Sequence, residues 1–231
     1  MQPSYASQLA AAVEAYANDL RINHPLLALA QTGRLGARDV ANYLVNIRFM
    51  IEHTPRHLGQ AKRRATETAQ HELAEFYARK LLEETGHDVW ATSDLSRLNQ
   101  EFGAQPARTP SPHIQDLAHF IERLIADEPS HYLAYILFSE YLTVLLGPIW
   151  VRALTTQCGI PNDALSVVSQ HVELDKGHVR DELARLDALL AGNPIAVFDA
   201  LHTSMRHFRA FCDELYAAAS SANDPPAVAA E

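Results

Sequence analysis

Residues 166–180 read SVVSQHVELDKGHVR, and this stretch carries the most informative pattern in the chain. His171, Asp175 and His178 follow one another at intervals of four and three residues. On a helix of about 3.6 residues per turn, these intervals place all three side chains on one stripe. Leu174 and Val167 lie beside the stripe, on the side that we expect to be apolar. The stretch therefore predicts a helix that presents three metal-ligating side chains together, and the alternative is an ordinary solvent-exposed polar face.

A second carboxylate–histidine pair occurs earlier, in the sequence LEETGH at residues 82–87. Glu84 and His87 are three positions apart, so they share a face if the segment is helical. Asp175 and His178 have the same spacing on a different predicted helix. A Glu-x-x-His motif on each of two helices is typical of di-iron carboxylate bundles. Such a pair also arises by chance, so the indication of a metal site comes from the two pairs together.

Di-iron bundles also take one lone carboxylate from each of two more helices. Glu140 stands among apolar residues in LFSEYL, at 137–142, where an acid is costly to bury unless it is paired or bound to a metal. The alternative for Glu140 is a pairing with a core arginine or a helix-end charge. Glu52 follows an apolar run and is either a further candidate ligand or an exposed residue near a proline kink. Arg48, one turn earlier, either binds a substrate carboxylate, pairs with Glu52 or is solvated.

Carboxylate oxygens and imidazole nitrogens in one ligand set suit iron or manganese better than a metal that seeks thiolates. The number of candidate ligands exceeds what a single ion needs, so the set favours two metal ions. The candidates are Glu52, Glu84, His87, Glu140, His171, Asp175 and His178.

Helical patterns cover most of the chain, and no alternating run of β-branched residues predicts a strand. Gly86 weakens the third long segment, while Pro55 and Pro148 predict kinks within two others. Asn162 and Asp163 are the favoured N-cap residues for the helix of the ligand stripe. These elements predict a single antiparallel all-α bundle of about seven helices. The segments predicted as helical are 5–22, 26–32, 37–65, 67–98, 112–127, 129–156, 163–190 and 195–219.

The length of 231 residues fits one domain, which we place at residues 1–219, with a disordered Ala-, Pro- and Ser-rich tail at 220–231. The formal net charge of −9 disfavours nucleic acid as a partner. Cys158 and Cys212 are far apart and form no CxxC pair, so a reducing cytoplasm is the expected location. The N-terminus lacks the pattern of a signal peptide, and no apolar stretch of about 18 residues predicts a membrane span.

The helix count, the order of the motifs and their separations resemble those of the haem-oxygenase-like diiron oxidases and oxygenases. These are distant relatives of the thiaminase-II and pyrroloquinoline-quinone-synthesis folds. The resemblance spans residues 5–219. It implies a single haem-oxygenase-like bundle of about seven helices and two irons, the second of them weakly bound. The implied iron ligands are Glu84, His87, Glu140, His171, Asp175 and His178.

The resemblance also implies a reaction in which two Fe(II) ions bind O2 as co-substrate and form a peroxo-diiron(III) species. Glu84, Glu140 and Asp175 belong to the implied catalytic centre. The implied substrate is a small amino-acid-like or amine molecule that undergoes N-oxygenation, desaturation or C–C cleavage, with an external electron donor where one is needed. N-oxygenation gains weight if Glu52 is a ligand, and desaturation or C–C cleavage gains weight if it is not. The Glu84–His87 spacing is like that of members that cleave fatty acids to alkenes. We expect the substrate pocket to be lined by residues that include Tyr43, Ile47, Tyr135, Phe138 and Leu145.

Other functions fit parts of the sequence. A fatty-acid-type oxidative decarboxylase would use the same site, whereas a metal-free thiaminase-like hydrolase needs a mid-chain cysteine nucleophile, a role for which Cys158 and Cys212 are poorly placed. Haem oxygenase itself needs an early proximal histidine and a glycine-rich helix, but His24 precedes a proline and no such helix occurs. A ferritin-like storage protein would leave His171 unexplained, and a helical interaction module would leave the whole stripe unexplained. A homodimer is the default assembly.

Overall fold

The computed structural model describes residues 4–190 and 194–223, and every regular element in these two ranges is helical. The all-α class is therefore confirmed, with nine α-helices and two short 3-10 turns in the described part of the chain. The turns are at Pro129–His131 and Asn162–Ala164. The α-helices are α1 (Tyr5–Asn23), α2 (Pro25–Gln31), α3 (Ala37–Glu67), α4 (His71–Glu84), α5 (Asp88–Phe102), α6 (Pro112–Asp127), α7 (Tyr132–Thr156), α8 (Ser166–Leu189) and α9 (Pro194–Asn223).

The predicted third long segment is in fact two helices, because the helix is interrupted by a turn after Glu84. Gly86 takes a φ of +94°, a conformation that glycine adopts without the penalty of a Cβ. This break divides one of the eight segments predicted as helical, so the described part of the chain has nine α-helices and not the predicted seven or so. It also takes His87 off the helix of Glu84, since Glu84 ends α4 and His87 stands at the N-cap of α5. The prediction that the two residues share one helix face is therefore wrong.

Helix α9 is longer than the sequence predicts, and α3 and α7 each contain an internal proline. Pro55 lies inside α3 and Pro148 lies inside α7, and both helices continue past these residues. Helix α9 runs to Asn223, so residues 220–223 are helical and not part of a disordered tail. The alanine-rich composition of this end favours a helix. Residues 224–231, the rest of the predicted tail, lie outside the described residues.

The start of α8 is capped by a side chain from another helix. Asn162 and Asp163, the predicted N-cap residues, form a 3-10 turn instead, and α8 begins at Ser166. The buried carboxylate of Asp94, on α5, accepts hydrogen bonds from the Val167 N–H (2.8 Å) and the Ser166 hydroxyl (2.6 Å). It thereby satisfies a backbone N–H that the start of a helix leaves free. The same contacts fix the beginning of α8 against α5.

Helices α7 and α8 approach each other closely at Gly147. A Cβ built on Gly147 would lie only 2.4 Å from Val172 Cγ2, so any side chain at this position would force the two helices apart. Val168 lies beside the same contact, at 3.5 Å. This helix pair carries Glu140 on one side and the His171 stripe on the other, and the close packing therefore sets the distance between them.

The segment Pro129–Thr156, which includes α7, is long and apolar enough to cross a membrane by length and composition. The prediction that no apolar stretch reaches this length is therefore wrong. Half of the most apolar window is buried inside the bundle, where α7 contacts α1, α2, α6, α8 and α9. Since a helix surrounded by others is hydrophobic on most of its sides, the central position of α7 explains its composition.

Candidate metal centre

Six side chains that the sequence singled out come together between α4, α7 and α8. One ends α4, one lies in the turn that follows, and one is in the buried middle of α7. The other three project from successive turns of α8. These side chains are, in the same order, Glu84, His87, Glu140, His171, Asp175 and His178. Their role as metal ligands stays a prediction, and their placement makes it testable.

The two carboxylate oxygens of Glu84 face two different sets of residues. Oε2 lies 3.1 Å from His87 Nδ1 and 4.0 Å from His171 Nε2. Oε1 lies 3.8 Å from His178 Nδ1, which is in turn 3.7 Å from Glu140 Oε1. We call Glu84, His87 and His171 the first ligand group, and Glu84, Glu140 and His178 the second ligand group. Within each group, one donor atom from each residue lies within 4.8 Å of the others, so each group is able to hold one ion.

Neighbouring groups fix how the histidines of α8 present their ring nitrogens. His171 Nδ1 lies 2.7 Å from the backbone carbonyl of Val167, so this nitrogen carries a proton and donates it. Nε2 is then the ring nitrogen that faces Glu84. On the outer side of the cluster, His178 Nε2 lies 3.6 Å from a Glu83 oxygen, which leaves Nδ1 to face inwards. The ring of His171 is thus oriented by a hydrogen bond on the far nitrogen, as metal-binding histidines usually are.

Several buried polar atoms of the cluster have no hydrogen-bond partner among the described residues. They are Glu84 Oε1, Glu140 Oε2, Asp175 Oδ1 and His178 Nδ1. Leaving such an atom buried and unpaired costs about 1–3 kcal/mol. A divalent cation bound between them would satisfy carboxylate oxygens and imidazole nitrogens at once. The donor set therefore fits an ion that prefers oxygen and nitrogen ligands, such as iron or manganese.

Burial shifts the protonation of this cluster. It raises the pKa of Glu140 to about 7, with Lys80 opposing the rise and Asp175 adding to it. Burial lowers the pKa of His87, because the charged imidazolium would lose its hydration. The Asp175 carboxylate, whose Oδ1 lies 3.3 Å from His178 Nδ1, raises the pKa of His178. Without a cation the cluster therefore retains protons that a bound metal would displace.

Sequence reasoning missed two charged residues of the cluster. Lys80 on α4 and Glu182 on α8 are only 4% and 3% exposed. Lys80 donates a hydrogen bond to Glu140, and its Nζ lies 3.7 Å from Glu182 Oε1. The signal was present in the spacing, since Lys80 is one turn before Glu84 and Glu182 is one turn after His178. Lys80 therefore lies on the same side of α4 as Glu84, and Glu182 continues the face of α8 that carries His178.

An apolar cavity of about 220 Å³ borders the cluster. All acidic and basic side chains in its described wall belong to the cluster, and most of the remaining wall is aliphatic or aromatic. Of the residues expected to line a pocket, Leu145 is not part of the described wall. The other four do line it, namely Tyr43, Ile47, Tyr135 and Phe138.

Glu52 and Arg48 lie apart from this cluster on α3. Their side chains are 47% and 35% exposed, and Arg48 Nε is 3.3 Å from Glu52 Oε1. Within the described part of the chain, neither residue belongs to a ligand group or lines the cavity. The ion pair is therefore the arrangement found among the alternatives that the sequence left open. The structure does not bring Glu52 to the other candidate ligands.

Comparison with known proteins gives matches in structure only. No protein-family model and no curated protein sequence matches this chain. A domain of unknown function with a heme oxygenase-like fold, from Shewanella denitrificans OS217, is 14% identical and superposes with a TM-score of 0.79 over 96% of both chains.

Two further solved structures resemble the chain at similar identity. A CADD-like protein of unknown function from Nostoc punctiforme PCC 73102 is 14% identical, with a TM-score of 0.65 over 92% of this chain and 99% of that chain. A TenA homolog from Pseudomonas syringae pv. tomato str. DC3000 is 13% identical, with a TM-score of 0.65 over 92% of this chain and 93% of that chain. At such identities the likeness establishes the fold, and this chain has the haem-oxygenase-like fold that its sequence predicted.

Proposed function

We propose that this protein is a non-haem diiron enzyme that uses O2 to oxidise or oxygenate a small molecule. The observation that carries the proposal is the position of Glu84, whose two oxygens face two separate ligand groups. A carboxylate shared between two sets of carboxylate and histidine ligands suits a two-metal centre of the kind found in di-iron helical bundles. The fold agrees with this proposal, although a fold by itself does not imply an activity.

In this proposal each ligand group holds one iron, and Asp175 lies beside the second group, 3.3 Å from His178 Nδ1. The irons, when bound, supply the redox chemistry with O2. The protein itself orients the ligands and keeps water away. The Val167 carbonyl orients the ring of His171 so that its Nε2 faces the cluster, and the apolar wall of the cavity holds a substrate next to the cluster.

The cavity favours a substrate with an apolar body and a single polar end. Because the acidic and basic side chains of the described wall all stand at the cluster, a second charged group of the substrate would be buried without a partner. A free amino acid carries two such groups, whereas the hydrocarbon chain of a fatty-acid-type substrate would be stabilised by the apolar wall. Oxidative decarboxylation of such an acid is therefore the second candidate reaction, beside N-oxygenation or desaturation of an amine with a hydrocarbon body.

The metal-free hydrolase gains no support from the two cysteines. Cys212 lines the cavity, but burial raises the pKa of its thiol. A thiol that stays protonated is a poor nucleophile. Cys158 is not part of the described wall, and its Sγ lies 3.3 Å from the Ala30 carbonyl oxygen.

Anaerobic titration with Fe(II) tests the diiron centre. We expect the parent protein to bind two ions per chain, one for each ligand group, and its loaded form to consume O2. Glu84→Ala removes a ligand from both groups and is expected to lose both ions, whereas His178→Ala should keep one. Glu75→Ala, an exposed position on the same helix as Glu84, is the control and should bind like the parent. A parent without iron affinity, or a His178→Ala variant that binds two ions, would contradict the centre.

A substrate screen separates the two candidate reactions. O2 consumption is measured with free amino acids, with amines and with medium-chain fatty acids, and products are identified by mass spectrometry. The apolar cavity predicts faster consumption with substrates that have a hydrocarbon body than with polar amino acids. The reverse order would favour an amino-acid-like substrate.

A further inference from the structure

Lys80 is the only lysine or arginine in the described wall of the cavity. Its ammonium donates to Glu140 Oε1 and lies 3.7 Å from Glu182 Oε1. The surrounding cluster is acidic, and Lys80 supplies a buried positive charge to it. A buried ammonium placed in this way acts as a counter-ion, because the carboxylates around it would otherwise repel one another.

The Lys80 ammonium is bonded to an atom that faces the second ligand group. Glu140 Oε1, which accepts the hydrogen bond from Lys80, is also the oxygen that lies 3.7 Å from His178 Nδ1. A cation bound by the second ligand group would therefore stand close to the ammonium. Two positive charges that approach the same carboxylate repel each other strongly in a buried site. The Lys80 ammonium and the metal ion would therefore compete for Glu140.

Glu182 offers the ammonium another acceptor. Within the described chain, neither of its carboxylate oxygens has a hydrogen-bond partner, and it belongs to neither ligand group. A buried carboxylate without hydrogen bonds is costly. A shift of the Lys80 ammonium by about 1 Å would bring it from 3.7 Å to hydrogen-bond distance of Glu182 Oε1. The flexible four-carbon stem of a lysine permits a shift of this size.

We propose that the Lys80 ammonium is a resident counter-ion that passes from Glu140 to Glu182 when a metal ion binds to the second ligand group. Glu182 is then a positioning residue, which acts through Lys80 and does not touch the ion. This inference rests on the proposed metal centre. It adds a role for two buried residues that lie outside both ligand groups.

Two other arrangements would use the same residues differently. In one, Lys80 keeps its bond to Glu140 Oε1 while the ion takes the unpartnered Oε2, so that the ion pair is a fixed support. In the other, Glu182 binds the ion directly. A fixed support predicts weaker metal binding when either partner is removed. A direct ligand predicts that loss of Glu182 weakens binding whether or not Lys80 is present.

Calorimetric titration with Co(II), followed by absorbance, distinguishes the three arrangements. The full-length parent is compared with Lys80→Met, Glu182→Gln and the double variant Lys80→Met/Glu182→Gln. We expect Glu182→Gln to weaken binding to the second ligand group by about 10- to 100-fold, because Lys80 then stays on Glu140. We expect Lys80→Met to bind as tightly as the parent or tighter, and the double variant to lose the defect of Glu182→Gln. The exposed positions Lys62→Met on α3 and Glu75→Gln on α4 serve as controls.

The decisive result is that Glu182→Gln weakens Co(II) binding whereas Lys80→Met leaves it unchanged or strengthens it. Equal weakening by Lys80→Met and Glu182→Gln would overturn the exchange in favour of a fixed support, and a defect that persists in the double variant would make Glu182 a ligand. If Lys80→Met alone does not fold, Glu182→Gln and the double variant still carry the comparison. Equal binding by all four proteins would overturn this inference alone. A parent that binds no Co(II) would overturn the proposed metal centre together with it.

Discussion

His57 is buried in α3, and its Nε2 has no hydrogen-bond partner among the described residues. Burial, together with the charges of His53 and Arg56, lowers its pKa to about 3. An unfolded chain has an ordinary histidine pKa of about 6.5, so the unfolded state takes up the proton first as the pH falls. The stability contributed by neutral His57 is therefore complete above about pH 6.5 and is lost as the pH falls towards a pKa of about 3.

His57 alone should make the free energy of unfolding lower at pH 5 than at pH 7 by about 2 kcal/mol. Chemical denaturation at the two pH values measures this difference. His57→Gln cannot titrate and should remove this part of the pH dependence, whereas His119→Gln, at an exposed position, should leave it in place. An unchanged pH dependence in His57→Gln would mean that the buried imidazole does not stay neutral in the folded state.

Among the elements, the turn between α4 and α5 has the most direct bearing on the candidate site. The sequence spacing of Glu84 and His87 predicts a pair on one helix, but the chain reaches the same proximity through a turn. His87 Nδ1 lies 3.1 Å from Glu84 Oε2 across the short turn in which Gly86 takes its φ of +94°. The geometry of the first ligand group therefore depends on a backbone conformation that other residues adopt only with strain.

Gly86→Ala should lower the stability by about 1–2 kcal/mol and weaken Co(II) binding at the first ligand group. A Cβ at this position would meet no atom within 4 Å among the described residues, so the effect would come from backbone strain alone. The matched control is Gly59→Ala inside α3, where a Cβ also meets nothing within 4 Å of the described structure. There the change should stabilise the helix by about 0.5–1 kcal/mol. Thermal unfolding of both variants measures the difference, and equal stability would contradict the strain at Gly86.

At the level of the whole molecule, helix periodicity was enough to predict the helical bundle and to bring three side chains of α8 to one face. His171, Asp175 and His178 are on one face because their intervals match the helix repeat, and this holds whatever surrounds α8. Lys80 and Glu182 obey the same spacing, but a lysine is not a usual metal ligand, and Glu182 lies outside the carboxylate-x-x-His pairs on which the sequence search was based. A search for charged residues that extend each stripe by one turn would have included both.

Contacts between distant parts of the chain could not be predicted in this way. Asp94 caps a helix that begins seventy-two residues later, and no local pattern announces such a cap. Gly147 serves the approach of α7 to α8, which depends on Val172 in the other helix. Glu52 follows an apolar run as a buried ligand would, yet its position on α3 leaves it half exposed. In each case the outcome depends on how two helices pack against each other, and a single sequence does not give the distance between residues on different helices.

The cavity and the candidate metal centre share part of their wall, including Glu84, Glu140 and Asp175. A molecule in the cavity and an ion at the centre therefore alter each other's affinity, and thermodynamic reciprocity requires both changes to be the same factor. A cation would offset the repulsion between these buried carboxylates and an anionic head group, so we expect each ligand to tighten the other.

The affinity for decanoate is measured with and without Co(II), and the affinity for Co(II) with and without decanoate. Both comparisons should give the same factor of increase. Affinities that do not respond to each other would show that an anionic head group does not reach the shared wall. With positive coupling, the fraction of protein that carries metal would rise with the supply of substrate, even at a constant concentration of iron.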